Sequence, residues 1–287
     1  MPTPLDELTA ILDLEDLEVN IFRGHSPKES RERIYGGQVL GQALVAGGRT
    51  VESEGGQAHS FHAYFLRPGD PRSPILFQVD RTKNGRAFET RRVVAIQHGR
   101  PIFHMEVSFH RPEEGFEHQD RMPDVPDPES LPAWCDRVKP LLAAAASEED
   151  REWMLRDRPI DSRYVTEVDF LDPKQQPPEL LLWIKADGRL PQPLLIQQCV
   201  AAYASDSTLL DTAIMPHGIS WLDRTHTVAS LDHAMWFHRP FRADEWLLYV
   251  QASPAAGAGR AFSTGKLFTR EGQLVASVVQ EGLVRKI

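Results

Sequence analysis

A tetrapeptide that occurs twice places the strongest constraint on what this chain can fold into. Gly-Arg-Ala-Phe stands at Gly85–Phe88 and again at Gly259–Phe262. The flanking segments repeat in the same order, with Arg67-Pro68 matching Arg239-Pro240 upstream and Gly99 matching Gly272 downstream. Three anchors in one order over about fifty residues indicate that the chain is built twice from one structural unit.

Each copy of this unit begins with a helical pattern and continues with strands. In the first copy, apolar positions and small glycines over 34–51 predict a helix. After it the period changes to two, and Phe103, Met105, Val107 and Phe109 alternate with more polar residues, which is typical of strands. Asn84-Gly85 marks a hairpin turn. In the second copy a helix is predicted over 194–214, again followed by strands.

The composition between the two copies differs from the rest of the chain. From residue 112 to 193 the chain holds 12 of its 22 prolines, which is typical of a linker. We therefore expect an N-terminal unit over 1–112, a proline-rich linker with helical segments over 113–193, and a C-terminal unit over 194–287. Within the linker, a helix broken at Pro140 is expected.

Charge and composition exclude several classes of protein. The net charge is −9, which argues against general affinity for nucleic-acid phosphates. The apolar runs are shorter than the roughly 18 residues that a membrane span needs. The acidic N-terminus does not resemble a secretory signal, and Cys135 and Cys199 have no disulfide or metal-binding spacing. We expect a cytoplasmic globular protein.

Five sequence blocks carry a resemblance that covers nearly the whole chain outside the linker: IYGGQVLGQAL, HSFHAYFLRPGDPRSPI, YASDSTLL, DHAMWFHRPFRADEWLLY and LVASVVQEGLVR. Together they resemble the acyl-CoA thioesterase II family, of the TesB type. The resemblance implies an α+β tandem (double) hotdog, in which two helix-plus-antiparallel-sheet units pair into one long curved sheet. It also implies hydrolysis of fatty acyl-CoA to free fatty acid and coenzyme A, without a cofactor.

The same resemblance implies a catalytic set of an Asp, a hydroxyl residue and a Gln, all in the second unit. Carried over to this chain, these are Asp206, Ser230 and Gln280. The family usually has Thr at the hydroxyl position, so that Ser230 keeps the hydroxyl but loses the methyl group that restrains the rotamer. The counterpart of Gln280 in the first unit is Val107, for which we predict a packing role.

The residues alone leave other interpretations of this set open. Asp206 stands in a helical context beside Ser205, Ser207 and Thr208, where an exposed capping Asp is common. Ser230 reads as an ordinary strand residue. Gln280 shares a strand face with apolar residues, and a buried amide there would need hydrogen bonds.

Histidines and basic residues offer weaker candidates. His59 is a possible neighbour of the active site, but His59 and His62 lie on opposite strand faces, as do His233 and His238, so that no metal site is predicted. The densest basic cluster could meet coenzyme A phosphates, although a solvated face is the ordinary interpretation. This cluster comprises Arg81, Lys83, Arg86, Arg91 and Arg92.

Two alternatives to a thioesterase remain. A hotdog-fold enoyl-CoA hydratase has a related architecture but uses an Asp and a His on a different loop, and a non-catalytic acyl-CoA-binding sensor would bind the thioester without cleaving it. An α/β-hydrolase is disfavoured because the chain contains no Gly-x-Ser-x-Gly motif. The expected partner is fatty acyl-CoA, and the resemblance implies a homo-oligomer, a dimer or tetramer of double-hotdog chains.

Overall fold

The computed structural model describes residues 2–27, 33–145, 147–170, 172–223 and 225–287. The elements of the first half are α1 (Pro4–Leu12), β1 (Glu15–Glu18), β2 (Ile21–Gly24), α2 (Gly36–Gly48), β3 (Gln57–Phe65), β4 (Ile75–Asn84), β5 (Phe88–Gln97) and β6 (Arg100–His110). The predicted order of one long helix followed by strands is therefore confirmed for this half.

The second half repeats this order after two further helices. Its elements are α3 (Trp134–Ala145), α4 (Glu148–Leu155), β7 (Ile160–Tyr164), β8 (Glu179–Ala186), α5 (Leu194–Ser205), α6 (Asp211–Ile214), β9 (His226–Ser230), β10 (Asp232–Phe237), β11 (Leu247–Gly257), β12 (Arg260–Thr269) and β13 (Leu274–Lys286). The long helix α5 ends before Asp206, and two short 3-10 helices at Pro128–Ser130 and Met215–His217 complete the set within the described residues.

The strands of the described residues form one antiparallel sheet in the order β1-β2-β4-β5-β6-β3-β10-β13-β12-β11-β8-β7, with β9 pairing with β13. The first six strands of this order belong to the first half and the rest to the second. The halves join edge to edge between β3 and β10, where Phe61 lies opposite Met235. This arrangement confirms the predicted tandem hotdog and its continuous sheet.

The two copies of the tetrapeptide occupy equivalent places. Gly85–Phe88 lies at the hairpin between β4 and β5, and Gly259–Phe262 lies at the hairpin between β11 and β12. Phe88 begins β5, and Phe262 is the third residue of β12. Gly259 has a φ of 76°, a left-handed conformation that favours glycine. The repeat therefore marks the same structural position in both units.

The inward face of the sheet packs against α2 and α5. Alternating residues of the central strands are completely buried, among them Phe61, Phe77, Val93 and Met105. Burial of each such side chain contributes roughly 1.5–3 kcal/mol. Because α2 is rich in glycine, α5 approaches it closely: a Cβ atom on Gly41 would lie 3.2 Å from the carbonyl oxygen of Cys199. The two helices form the inner layer of the molecule.

These helices run antiparallel. A Cβ atom on Gly37, at the start of α2, would lie 2.3 Å from the carbonyl oxygen of Tyr203 near the end of α5. At the other end, a Cβ atom on Gly48 would lie 2.5 Å from Leu195, near the start of α5. The end of α5 therefore reaches the N-terminus of α2, and this places Asp206.

The segment 113–193 differs from the expected linker. It contains the helices α3 and α4, as expected, but also the strands β7 and β8. Strand β8 pairs with β11 as β2 pairs with β4, so that the second half of the sheet includes residues from Ile160 onward. Prolines at 173, 177 and 178 lie between these two short strands. Because prolines are typical of a linker, the composition concealed the strands in the sequence.

The predicted break at Pro140 is also wrong. Helix α3 runs through Pro140 to Ala145. A proline inside a helix lacks one backbone N–H and ordinarily disrupts the turn before it. Here the side chain of Pro140 is exposed, and the helix is held by the burial of Trp134, Val138 and Leu142 on its opposite side. Packing therefore outweighs the local preference.

Part of the segment crosses the outer face of the second half of the sheet. Met122, Val125 and Leu131 pack against a small apolar cluster formed by Trp183, Leu248, Phe268 and Leu274. The indole N–H of Trp183 donates to the carbonyl oxygen of Pro126 over 2.9 Å. This segment covers an apolar sheet face that would otherwise meet solvent.

No helix within the described residues is long and apolar enough to span a membrane.

Candidate active site

Asp206 is the centre of a buried polar cluster. It is the residue that caps the C-terminus of α5, and its side chain is only 4% exposed. Its Oδ1 atom accepts hydrogen bonds from Nε2 of Gln280 over 2.6 Å and from Oγ of Ser230 over 3.1 Å. The structure therefore brings together all three residues that the resemblance suggested.

Strand pairing explains why Ser230 and Gln280 meet. Ser230 ends β9 and lies opposite Gly282 of β13, two residues beyond Gln280. A Cβ atom on Gly282 would lie 2.5 Å from Leu210, so that glycine allows the segment after Asp206 to approach the strand closely. Gln280 itself lies on the inward face of β13 and is completely buried. Its position is thus set by the sheet and not by a loop.

The first half of the chain contributes the N-terminus of α2. A Cβ atom on Gly36 would lie 2.5 Å from Oδ2 of Asp206, so that only glycine leaves room for the carboxylate there. The N-cap residue Tyr35 makes no side-chain capping hydrogen bond, and the backbone N–H of Gly37 donates to the carboxylate of Asp206. The N-terminus of a helix carries a partial positive charge that favours an anion. The candidate site therefore lies between the two units.

The surroundings of Asp206 change its acidity. Burial raises the pKa of its carboxyl to about 6, against the opposing effect of hydrogen bonds from Gln280, Ser230 and the backbone N–H of Gly37. The hydroxyls of Tyr35 and Tyr249 also face this region, and burial raises the pKa of each well above 10, so that both are neutral. Asp206 is thus an ionised base at neutral pH with a greater proton affinity than an exposed Asp.

His233 is a member of the cluster that the sequence did not reveal. It lies on β10, is completely buried, and its Nδ1 atom is 3.9 Å from Oδ1 of Asp206. Burial lowers the pKa of its imidazole to about 3, so that the ring is neutral. Strand alternation predicts that the side chains of His233 and His238 point to opposite faces of the sheet. It does not predict that the inward-facing side chain of His233 lies beside Asp206.

The expected neighbour, His59, lies elsewhere. Its Nε2 atom is 2.8 Å from Oγ of Ser108, and its ring contacts Phe88 and His110. Two other residues of β3 approach the site: a Cβ atom on Gly36 would touch the ring of Phe65 at 3.0 Å, and the ring of Phe61 stacks on that of His233. The structure does not bring His59 to Asp206.

The basic cluster that was expected to form one solvated face is divided between the two faces of the sheet. Arg91 is completely buried, forms an ion pair with Glu89 and donates to the hydroxyl and carbonyl oxygens of Thr50. Arg92 points to the outer face, 3.8 Å from Glu106. Because neighbouring strand residues point to opposite faces, Arg91 and Arg92 cannot share a surface. The interpretation as one solvated face is wrong for Arg91.

The position that mirrors the site holds apolar side chains and the buried Arg91, which donates to Thr50 just beyond the end of α2. At the opposite end of the helix pair, Leu195 lies against Gly48, and Val107 lies against Gly47. Val107 is completely buried in the core, in agreement with its predicted packing role. The end of the helix pair that holds Asp206 therefore differs in chemistry from its counterpart.

Metal binding finds no support in the part of the chain that the structure describes. No group of three or more His, Cys, Asp or Glu side chains there is arranged to hold a metal ion. Near Asp206 the side chains are an amide, a hydroxyl and a neutral imidazole. This donor set can orient a water molecule and accept its proton.

Family models match both halves of the chain. A model described as "Acyl-CoA thioesterase N-terminal domain" matches residues 25–110, and one described as "Acyl-CoA thioesterase" matches residues 165–283. The second match includes β8, in agreement with the position of this strand in the sheet.

Named relatives match nearly the whole chain. Acyl-coenzyme A thioesterase 8 of Homo sapiens is 39% identical over 293 residues, covering 97% of this chain and 88% of that protein. Acyl-CoA thioesterase 2 of Haemophilus influenzae is 39% identical over 283 residues and is covered to 98%, as is this chain. The crystal structure of an acyl-CoA thioesterase II from Mycobacterium marinum is similar with a TM-score of 0.80 and 44% identity, covering 98% of each chain.

Proposed function

Because the chain belongs to the acyl-CoA thioesterase family, we propose that it hydrolyses fatty acyl-CoA to the free fatty acid and coenzyme A. Asp206, Ser230 and Gln280 activate the attacking water. The observation that carries this proposal is the buried carboxylate of Asp206, which accepts hydrogen bonds from Gln280 and Ser230 at the N-terminus of α2.

The first step is general-base attack. A thioester carbonyl is reactive enough for direct attack by water, so that no covalent intermediate is needed. The water donates one hydrogen to the carboxylate of Asp206 and the other to Oε1 of Gln280, a buried acceptor that has no hydrogen-bond partner among the described residues. The water oxygen forms a bond to the carbonyl carbon as its proton passes to Asp206.

The second step is collapse of the tetrahedral intermediate. Its oxyanion is stabilised by the partial positive charge of the N-terminus of α2, which lies beside the carboxylate of Asp206. The carbon–sulfur bond then breaks, and the thiolate of coenzyme A takes the proton from Asp206. The products are a carboxylic acid and a free thiol, and Asp206 is restored as a carboxylate.

Thiol release from purified protein tests the proposal. We expect release from a series of acyl-CoA chain lengths, and we expect Asp206→Asn to lower kcat by on the order of 10²-fold or more while acyl-CoA still binds. Asp211→Asn is the matched control, because Asp211 is a partly buried Asp whose pKa is also raised by burial, five residues further along the chain and outside the proposed machinery. Hydrolysis by Asp206→Asn at the unmodified rate would show that Asp206 is not the base.

Ser230 provides a second test of the same set. Ser230→Ala removes the hydroxyl that donates to Asp206, and we expect impaired turnover. Ser230→Thr restores the residue that the family usually carries, and we expect it to remain active. If the Ala and Thr variants are equally active, the hydroxyl has no part in the reaction.

The two alternatives give different outcomes in this assay. A sensor would bind acyl-CoA and release no thiol. A hydratase would add water to the double bond of a 2-enoyl-CoA and leave the thioester intact. The two relatives from Homo sapiens and Haemophilus influenzae are both named as thioesterases. No observation at the site favours either alternative.

Location and assembly complete the proposal. We place the protein in the cytoplasm, where Cys135 and Cys199, both free thiols, would remain reduced. We also propose that double-hotdog chains associate into a dimer or tetramer. Cell fractionation and light scattering of the purified protein test these two statements.

A further inference from the structure

His233 occupies the joint between the two halves of the sheet. Its strand, β10, pairs with β3 of the first half and with β13 of the second. The imidazole stacks on the ring of Phe61, with centroids 6.1 Å apart and an interplanar angle of 18°. The ring is thus held between an aromatic face and the polar cluster, and its two nitrogen atoms meet different partners.

One nitrogen is paired with Ser205. Nε2 of His233 lies 2.9 Å from Oγ of Ser205, and this hydroxyl donates to the carbonyl oxygen of Ala202 over 3.0 Å. A hydroxyl has a single hydrogen to donate. Because Ser205 gives it to Ala202, its oxygen is an acceptor toward His233, and Nε2 must carry the ring's hydrogen.

The other nitrogen is then an acceptor without a partner. Nδ1 is buried and makes no hydrogen bond with any residue that the structure describes, and it lies 3.9 Å from Oδ1 of Asp206. A buried acceptor left without a donor destabilises the folded state. The donor that can reach it is the hydrogen that Asp206 acquires during turnover, since hydrogen bonds at catalytic sites often tighten only when the reaction proceeds.

We propose that His233 is a positioning residue that accepts a hydrogen bond at Nδ1 from the protonated form of Asp206, with Ser205 fixing the tautomer that makes this possible. This inference rests on the proposed hydrolysis. No proton leaves Asp206 in this role: the hydrogen taken from water stays on the carboxyl, bonded to Nδ1, until it passes to the departing sulfur. His233 therefore stabilises the intermediate state of the base and has no contact with the substrate.

A matched pair of variants separates this role from packing. Asn and Leu have nearly the same shape, but Asn carries an amide oxygen that can stand near the position of Nδ1, whereas Leu carries no acceptor. We expect His233→Leu to have a kcat on the order of 10-fold lower than that of His233→Asn, which corresponds to one hydrogen bond. KM should be unchanged in both. Equal kcat values for the two variants would overturn the proposal.

His238→Leu is the control. His238 follows the same strand and also pairs with a serine, since its Nε2 atom lies 2.8 Å from Oγ of Ser277, but it points to the outer face. We expect this variant to retain the unmodified kcat. Loss of activity in His238→Leu comparable with that in His233→Leu would show a general effect on the strand and contradict the specific role.

Nuclear magnetic resonance of isotope-labelled histidine tests the tautomer without turnover. We expect the ring of His233 to be neutral, with hydrogen on Nε2 and none on Nδ1, and we expect Ser205→Ala to weaken this preference. Hydrogen on Nδ1 in the unmodified protein would overturn the proposal even if thiol is released. Absence of thiol release with the expected tautomer would instead refute the proposed function, on which the role of His233 depends.

Discussion

At the scale of single residues, the carboxyl of Asp206 links activity to pH. Burial raises its pKa to about 6, and the base must be ionised to take a proton from water. We expect kcat/KM to be constant above this pH and to fall below it by about tenfold per pH unit. The measurement is thiol release between pH 4.5 and 8.5, with stability checked at each pH.

Asp211 is the control for this pH profile. Burial raises the pKa of its carboxyl to about 7, so that it titrates in the same range. We expect Asp211→Asn to leave unchanged the pH at which kcat/KM falls on the acid side of the profile, which is called the acid limb. If that substitution moves the limb, the titration belongs to Asp211 and the assignment of the base is contradicted.

The same pKa has a consequence for stability. In the unfolded chain an Asp titrates near about 3.9, so that the folded state binds the proton of Asp206 more tightly. The contribution of this carboxyl to the free energy of unfolding is therefore fully present below about pH 4 and is lost as the pH rises through about 6. We expect Asp206→Asn to raise the free energy of unfolding at pH 8 by about 3 kcal/mol, and to have little effect at pH 4. Urea unfolding at the two pH values measures this, and a destabilised variant at pH 8 would contradict it.

Sequence patterns alone could not have found this cluster. Asp206 and Gln280 are 74 residues apart in the chain and meet only through the fold, so that the resemblance, not the spacing, suggested them. The sequence does not reveal the position of His233, because strand alternation predicts the sheet face to which a side chain points but not which other element packs against that face. Arg91 was misplaced for the same reason, since a buried ion pair with Glu89 leaves no periodic signal.

At the scale of elements, α2 connects the site to the packing of the two helices. Gly36 and Gly48 stand at its opposite ends, and a Cβ atom on either would lie 2.5 Å from a neighbour: Oδ2 of Asp206 for Gly36, and Leu195 for Gly48. We expect Gly36→Ala to lower kcat by at least an order of magnitude, because a displacement of about 1 Å in a catalytic group can cost 10²-fold.

Gly48→Ala is the matched control for this substitution. The added methyl group displaces a flexible leucine side chain, so that we expect a loss of stability with turnover preserved in the folded protein. Thiol release and thermal unfolding of both variants give the comparison. Equal activity in the two would mean that the start of α2 does not position the carboxylate.

Strand β6 allows a test of the asymmetry between the units. Val107 is the counterpart of Gln280 and is completely buried. Val107→Ala should lower the free energy of unfolding by roughly 1–3 kcal/mol through lost burial and leave the kcat of the folded enzyme unchanged. Val94→Ala, a partly buried residue on the outer face of β5, should have a smaller effect. Abolished turnover with normal stability in Val107→Ala would contradict the packing role.

The sequence predicted most helices and strands because their periodicity is strong. Phe103, Met105, Val107 and Phe109 alternate along β6 as predicted and are all buried. The failures occur where a proline dominated the local pattern: helix α3 continues past Pro140, and β7 and β8 lie inside the expected linker. Tertiary burial decides these elements, and composition does not report it.

At the scale of the whole molecule, the repeated tetrapeptide predicted two units, and the structure joins them through β3 and β10. What the repeat could not predict is that the units depend on each other. The carboxylate comes from the second unit, whereas the helix N-terminus beside it comes from the first. Neither half contains both parts of the candidate site, so that the proposed reaction requires the two units together.

The antiparallel pairing of α2 and α5 also sets a stoichiometry. Two equivalent ends exist in each helix pair, but one holds Asp206 and the other holds Leu195 and Val107. We therefore expect a non-hydrolysable thioether analogue of acyl-CoA to saturate the protein at one molecule per chain in calorimetric titration, whereas two molecules per chain would contradict this count. In any oligomer, the number of turnovers under way at one moment then equals the number of polypeptides and not the number of hotdog units.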